Sequence, residues 1–303
     1  MNLLTRTLAH WKLRTRSLEL GRRTLIMGII NITPDSFSDG GNFLAPDAST
    51  AHALRLLEEG ADILDLGAES TRPGSQAGNP AHPTISADEE QQRLLPVIEA
   101  IRKAAPAAVL SVDTYKSATA RAALAAGAEI INDVSGFTWD QTMSAVCSES
   151  ACGVVLMHTR GRPDEWRTQS RLPAGDLMDL IRSGLSQSLA IARQSGIAPE
   201  SIILDPGYGF GKKFDENYAI LARQAELLAL GRPLLAGLSR KSFLGHALSN
   251  LHGGEQAPID ARETASIAAS VAAILHGASI IRAHHVRPAV EAARIADAIL
   301  RAS

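Results

Sequence analysis

The chain has 303 residues but only two cysteines, Cys147 and Cys152. Their number and spacing suit neither a disulfide framework nor a zinc site, and a reducing cytoplasm is the expected setting. An excess of either charge is also missing, since 30 Lys and Arg stand against 32 Asp and Glu for a net charge of −2. Without a long run of Lys or Arg there is no electrostatic footprint for DNA or an acidic membrane, so neither nucleic acid nor membrane is expected as a partner. No segment is apolar for long enough to span a bilayer. Met1–Ser17 carries Arg6, Lys12, Arg14 and Arg16 among its apolar residues, which is not the pattern of a signal peptide. What is present is a hydrophobic content of 45%, enough for one large core and too high for disorder.

Short β-branched or leucine-rich runs alternate with longer alanine-rich amphipathic stretches from Thr24 onward. The runs are Thr24–Asn31, Ala61–Gly67, Ala108–Asp113, Ile130–Ser135, Gly153–His158, Ile202–Pro206, Pro233–Leu238 and Ser279–His284. Helices are expected near Asp47–Glu59, Ala87–Ala105, Lys116–Ala126, Asp140–Ala151, Asp176–Ser195, Asp215–Leu230, Arg262–His276 and Val286–Arg301. Near-continuous apolar strands alternating with helices call for a parallel sheet covered by helices, and eight such units favour a closed (β/α)8 TIM barrel of the α/β class over an open sheet. One barrel domain, 24–303, follows an N-terminal extension, 1–23. Gly60, Gly127, Gly153, Gly196, Gly231 and Gly277 stand where left-handed helix caps would fall. Trp11–Thr24 alternates apolar and charged residues around Glu19–Gly21, which predicts a small β-hairpin plugging the barrel's N-terminal face.

In such a barrel the C-terminal strand ends carry the chemistry. Here the strands lead in turn to Asn31, Glu69-Ser70-Thr71-Arg72, Asp113, Asn132-Asp133, His158, Asp205, Ser239-Arg240-Lys241 and Arg282 with His284. Taken alone, any one of the acidic or amide residues reads first as a helix N-cap. Arg, Lys and His at the same level do not, because a cation there opposes the helix dipole. Closure makes the last strand a neighbour of the first, so Arg282, His284, Asn31 and Lys241 should converge on one sector. A cationic pair beside an amide oxygen suits a pyrophosphorylated ligand with Mg2+ bridging Asn31 to phosphate oxygens. Asp113, Asn132 and Asp205 offer carboxylates and an amide to the paired N–H donors of a 2-amino-4-oxo-pyrimidine edge. The long polar loops Ile32–Pro46 and Ala68–Ser86 read as lids or as solvated connectors. Asp205-Pro-Gly-Tyr-Gly-Phe-Gly211 lacks Rossmann or P-loop spacing and reads as a tight loop against a planar ligand. Met157 either stacks on a ring or fills the core, and both cysteines are expected to pack.

Taken together, Ile29-Ile-Asn-Ile-Thr-Pro-Asp-Ser-Phe-Ser-Asp-Gly-Gly41, Gly67-Ala-Glu-Ser-Thr-Arg-Pro-Gly74, Ser111-Val-Asp-Thr114 and Ile131-Asn-Asp-Val134 resemble the dihydropteroate synthase family. Leu156-Met-His158, Asp205-Pro-Gly-Tyr-Gly-Phe-Gly-Lys212, Ser239-Arg-Lys-Ser242 and Ile281-Arg-Ala-His284 extend the resemblance, in order, to the last strand. It implies condensation of 6-hydroxymethyl-7,8-dihydropterin pyrophosphate with 4-aminobenzoate to give dihydropteroate and pyrophosphate. Carried over by position, Asp113, Asn132, Asp205 and Lys241 would hold the pterin, with Val134 and Met157 near its faces. Asn31 would meet Mg2+, while Arg282 and His284 would bind pyrophosphate. Thr71, Arg72, Pro73, Phe210, Lys241 and Ser242 would shape the aminobenzoate pocket where sulfonamides compete. Thr33, Asp35, Phe37 and Ser38 would lie on the first lid loop. Asp113, Lys241, Arg282 and His284 are the expected catalytic set, and a homodimer is implied.

Three departures stand out. His285 follows His284 where the family more often has Asp, removing a carboxylate able to orient His284. The second loop, through Gln76–Pro83, is longer than usual, and Thr159–Leu172 is rich in arginine. Two rivals share part of the pattern. A corrinoid-dependent methyltransferase barrel would use Asp113, Asn132 and Asp205 but has no need of Arg282, His284 and Ser239-Arg-Lys-Ser242. A non-catalytic pterin-binding paralogue need not keep Asn31, Lys241 and Arg282.

Overall fold

The apolar runs separate into strands because most are bounded by residues that stop them, glycine or a helix end before and a polar residue at or just past the end. In a computed structural model, which describes residues 6–32, 44–69, 71, 75–79 and 85–302, they form β3 (Leu25–Asn31), β4 (Ile63–Gly67), β5 (Val109–Asp113), β6 (Ile130–Asp133), β7 (Gly153–Met157), β8 (Ile202–Asp205), β9 (Leu234–Ala236) and β10 (Ala278–Ala283). All pair in parallel, and β10 closes on β3 to complete the barrel. Each strand lies within about two residues of its expected bounds, the scatter usual for element ends.

The helices between them are α1 (Leu44–Glu58), α2 (Ala87–Ala104), α3 (Ser117–Ala125), α4 (Met143–Ser150), α5 (Ala174–Gln194), α6 (Glu216–Arg223), α7 (Ser242–Ala247), α8 (Glu263–Leu275) and α9 (Val286–Ala302). Two differ from expectation. The sixth helix tightens to 3-10 geometry over Gln224–Leu230, and the short α7 was not anticipated. Five of the six capping glycines have positive φ; the exception is Gly153, and Ala151 takes the left-handed cap at φ 50° instead.

Strands β1 (Ala9–Lys12) and β2 (Ser17–Leu20) form the antiparallel hairpin. Its turn is Leu13–Arg16, closed by the Leu13 N–H donating to the Arg16 carbonyl at 2.8 Å, rather than Glu19–Gly21. The hairpin does plug the barrel. Trp11, Leu13 and Leu20 are buried in one cluster with the inward side chains Met27, Ile63, Val109, Ile130, Val155, Ile203, Leu235 and Ile280. Trp11 Nε1 donates to the Ser201 carbonyl at 2.9 Å, satisfying the indole that burial would otherwise strand. Gly153 faces this plug, and a Cβ there would lie 2.5 Å from Leu13 Cδ2 and 3.2 Å from Trp11 Nε1. Outward residues such as Ile30, Leu66, Leu110, Leu156 and Leu204 pack under the helices in the larger core.

Candidate active site

The two-residue period of a strand carries the inward face upward from the plug, and one layer higher that face becomes ionisable. On β4 the layer holds Asp65, fully buried. Its Oδ1 accepts from Ser111 Oγ at 2.6 Å, and its Oδ2 accepts from Asn132 Nδ2 at 3.1 Å and from Arg282 Nε at 2.6 Å. Arg282 also donates through Nη2 to Asp113 Oδ2 at 2.8 Å. On the far side of Gly237, a Cβ would lie 3.9 Å from Asp205 Oδ2 and 4.0 Å from Arg282 Cβ. Acidic and basic groups therefore interleave in one network. Arg282 leaves β10 and reaches the carboxylates of β4 and β5.

The network shifts its members strongly. Burial, reinforced by Asp65 and Glu90 and opposed by Arg282 and Lys241, raises the Asp113 carboxyl to about 7. Burial also raises Asp205, whose Oδ1 accepts the Gly207 N–H at 2.7 Å. Lys241 is lowered to about 8 by burial and by Arg282, against the pull of Asp205 and Asp113. Burial alone would lower Arg282, but Asp65 and Asp113 outweigh it and the guanidinium is held more firmly charged.

Above this layer the lining turns apolar on one side. Val134 and Met157 are buried with Ala77 and Tyr115, and Trp139 and Phe210 pack against them. Phe210 meets Trp166 edge-on at 5.2 Å, and Lys241 Nζ sits 4.0 Å from the Phe210 ring centroid. Trp166 gives the Arg-rich segment after β7 a role as buttress of the glycine-rich loop. That loop is also clasped from below. Lys212 Nζ, buried, donates to the carbonyls of His158, Pro206 and Gly207 at 2.8, 2.9 and 2.7 Å.

On the β9–β10 side, Ser242 opens α7 and Lys241 precedes it in extended conformation. Arg240 is in the left-handed region at φ 59°, its N–H donating to Ser266 Oγ at 2.9 Å and its carbonyl accepting from Arg262 Nη1 at 3.0 Å. The strain is thus met by two bonds from α8 and the residue before it. His284 Nδ1 pairs with Ser239 Oγ at 2.9 Å, so a serine, not the following residue, orients the imidazole. His285 instead bridges Arg240 and Glu263. Burial and the cations Arg240, Arg282 and Lys241 lower His284 to about 3. At that value the imidazole is neutral near pH 7.

Asn31 ends β3 with its side chain exposed, and Thr71 is half-buried in the second loop. Thr33, Asp35, Phe37, Ser38, Arg72 and Pro73 lie outside the described residues. Two strand-end residues expected at the mouth face the other way. His158 packs against α5, where a Cβ on Gly184 would lie 2.5 Å from its Cδ2, and Asp133 accepts the N–H groups of Ser135 and Phe137 at 2.8 and 2.9 Å. The sequence motifs alone give Asp65 and Lys212 no role. Asp65 had a readable signal, a lone charge in Ile63-Leu-Asp-Leu-Gly67 with the inward phase of Ile63. Among the described residues no cluster of three or more His, Cys, Asp or Glu is placed to hold a metal ion.

Comparison with known proteins bears on this geometry. The pterin binding enzyme family model matches residues 27–284. The chain is 40% identical over 281 residues to dihydropteroate synthase of Synechocystis sp., covering 93% of this chain and 92% of that one. The chain belongs to the pterin-binding enzyme family, in its dihydropteroate synthase branch. Two solved structures of the Xanthomonas albilineans enzyme superpose closely on this fold. One, with 4-aminobenzoic acid, has a TM-score of 0.82 at 38% identity and covers 97% of this chain and 98% of its own. The other, with 7,8-dihydropteroate, has a TM-score of 0.79 at 36% identity and covers 96% and 98%. Membership makes the chain a transferase.

Proposed function

We propose that the mouth binds 6-hydroxymethyl-7,8-dihydropterin pyrophosphate and 4-aminobenzoate and joins them as dihydropteroate, releasing pyrophosphate. The observation that carries this is the convergence of Asp113, Asn132 and Asp205 with Lys241 and Arg282 at one end of the barrel, beside the apolar wall of Val134, Met157 and Phe210. The carboxylates and amide take the N–H edge of the bicycle, and the apolar wall covers its faces. Arg282 neutralises charge growing on the departing oxygens. Its Nη1 makes no hydrogen bond among the described residues and is available for that task. His284 assists as a neutral donor: Ser239 Oγ, already accepting the His284 backbone N–H at 3.2 Å, gives its hydrogen to Nδ1 and leaves the ring proton on Nε2.

The leaving group sits on a methylene attached to an electron-rich ring, so C–O cleavage runs ahead of attack and leaves a cation that ionised Asp113 stabilises. The aromatic amine is neutral at pH 7 and needs no activating base. The protein holds it in line, with Phe210, Ser242 and Thr71 shaping its pocket; roles for Arg72, Pro73, Thr33, Asp35, Phe37 and Ser38 follow from the resemblance alone. A single exposed amide, Asn31, fits a Mg2+ ion that arrives with pyrophosphate and keeps most of its waters, and this ion would supply Lewis-acid stabilisation of the leaving group. Residues 24–303 act as one barrel domain with 1–23 as its extension.

The chain works in the cytoplasm as a homodimer. Among the described residues no helix is long and apolar enough to cross a membrane. Ile267, Val271 and Leu275 leave an apolar, half-buried stripe on α8 for a second copy to cover. The test is pyrophosphate release by the purified chain. Release that needs both substrates and stops on chelation of Mg2+ is expected; transfer of a methyl group to a corrinoid, or pterin binding without release, contradicts the reading.

A further inference from the structure

The residue with the most contacts in the network is one that no substrate role requires. Asp65 is sealed between the plug and the mouth, and both of its oxygens are occupied. A carboxylate so placed is tolerated only with a counter-charge and full hydrogen bonding. Arg282 supplies the charge, with Ser111 and Asn132 supplying the remaining donors.

Two consequences follow for groups that face the ligand. With Nε fixed on Asp65 and Nη2 on Asp113, the guanidinium plane of Arg282 is set by two carboxylates on different strands. With Nδ2 of Asn132 turned to Asp65, the amide oxygen is the atom left for a ligand. That oxygen joins Asp113 and Asp205 in a set of acceptors only, which selects a ring edge bearing N–H donors.

From this geometry we infer that Asp65 is a positioning residue of the synthase reaction, acting through Arg282 and through the orientation of the Asn132 amide without touching substrate. The inference rests on the function proposed above for the same site. It also bears on charge: Asp65 is one of the groups that raise Asp113, so removing its charge lets Asp113 ionise at lower pH.

The experiment is Asp65→Asn, which keeps the shape, removes the charge that faces Arg282 and leaves one accepting oxygen where the carboxylate has two. The expected result is a fall in kcat of about 50-fold or more, with the KM for 4-aminobenzoate changed by less than about threefold. The acid limb of the pH profile, governed by Asp113, moves to lower pH, which a residue needed only for folding would not cause. A kcat within about threefold of wild type, or an unmoved acid limb, overturns the inference.

Should Asp65→Asn not fold, the pair Asp65→Asn with Arg282→Gln carries the test. It should melt above Arg282→Gln alone, which strands a buried carboxylate, and be no more than about twofold less active than that variant. A lower melting temperature, or multiplied losses of activity, contradicts it. Binding of 6-hydroxymethylpterin by calorimetry separates the two claims. Wild type that binds this probe yet releases no pyrophosphate sinks the function, while equal affinity of wild type and Asp65→Asn sinks the positioning role.

Discussion

The two ends of the barrel interior are made from the same inward-facing strand positions, yet they differ in every chemical respect. At the N-terminal end Met27, Ile63, Val109, Ile130, Val155 and Ile203 close on the hairpin's Trp11, Leu13 and Leu20. Two residues further along the strands, Asp65, Ser111, Asn132, Asp205 and Arg282 occupy the same face. The lower layer gains stability from burying apolar area; the upper layer holds charges where burial shifts Asp113 and Lys241 toward neutrality. The contrast separates folding from chemistry: changes to the plug should cost stability, and changes to the mouth should cost turnover.

The sharpest way to break that separation is at Trp11. Trp11→Ala removes a fully buried ring and the bond to Ser201, and should lower the unfolding free energy by about 3–5 kcal/mol, measured by urea denaturation. The protein still folded at low temperature should keep its kcat within about twofold; a matching loss of turnover would merge the two ends. Lys241→Ala is the converse. Its ammonium lies among Arg282, Asp205 and Asp113, and pyrophosphate release should fall by about 100- to 1,000-fold while the melting temperature holds.

A smaller effect is expected at Gly153. Gly153→Ala presses a methyl into Leu13 and Trp11, costing about 1–3 kcal/mol with KM unchanged for both substrates. The mildest test is pH. The carboxylate form of Asp113 and the ammonium of Lys241 are both required, so kcat/KM for the pterin substrate should rise with pH through about 7 and fall through about 8. A flat profile between pH 6 and 9 would mean that these two groups do not set the chemistry.

The lower end was largely legible from sequence and the upper end only in part. Continuous apolar runs bounded by glycine located all eight strands, and the alternation around Trp11 located the plug although not its turn. Phase was harder to read, because Gly153-Val-Val-Leu-Met-His158 is apolar on both faces and nothing in it says that His158 turns toward α5. Asp65 sits in a similar run, and its partner Arg282 lies 217 residues away, a pairing that only barrel closure creates. The charge state of His284 depends on Arg282 from its own strand and on Arg240 and Lys241 from the segment between β9 and α7, far earlier in the chain. His285 departs from the family pattern, yet Ser239 performs the orienting role, which a one-dimensional motif does not reveal.

The most direct measurement is a crystal structure of the chain with 6-hydroxymethylpterin and pyrophosphate bound. The account predicts the bicycle's N–H edge within hydrogen-bonding distance of Asp113, the Asn132 amide oxygen and Asp205, with pyrophosphate against Arg282 and His284. A pterin lodged anywhere other than this end of the barrel, or pyrophosphate bound away from both Arg282 and His284, would contradict it.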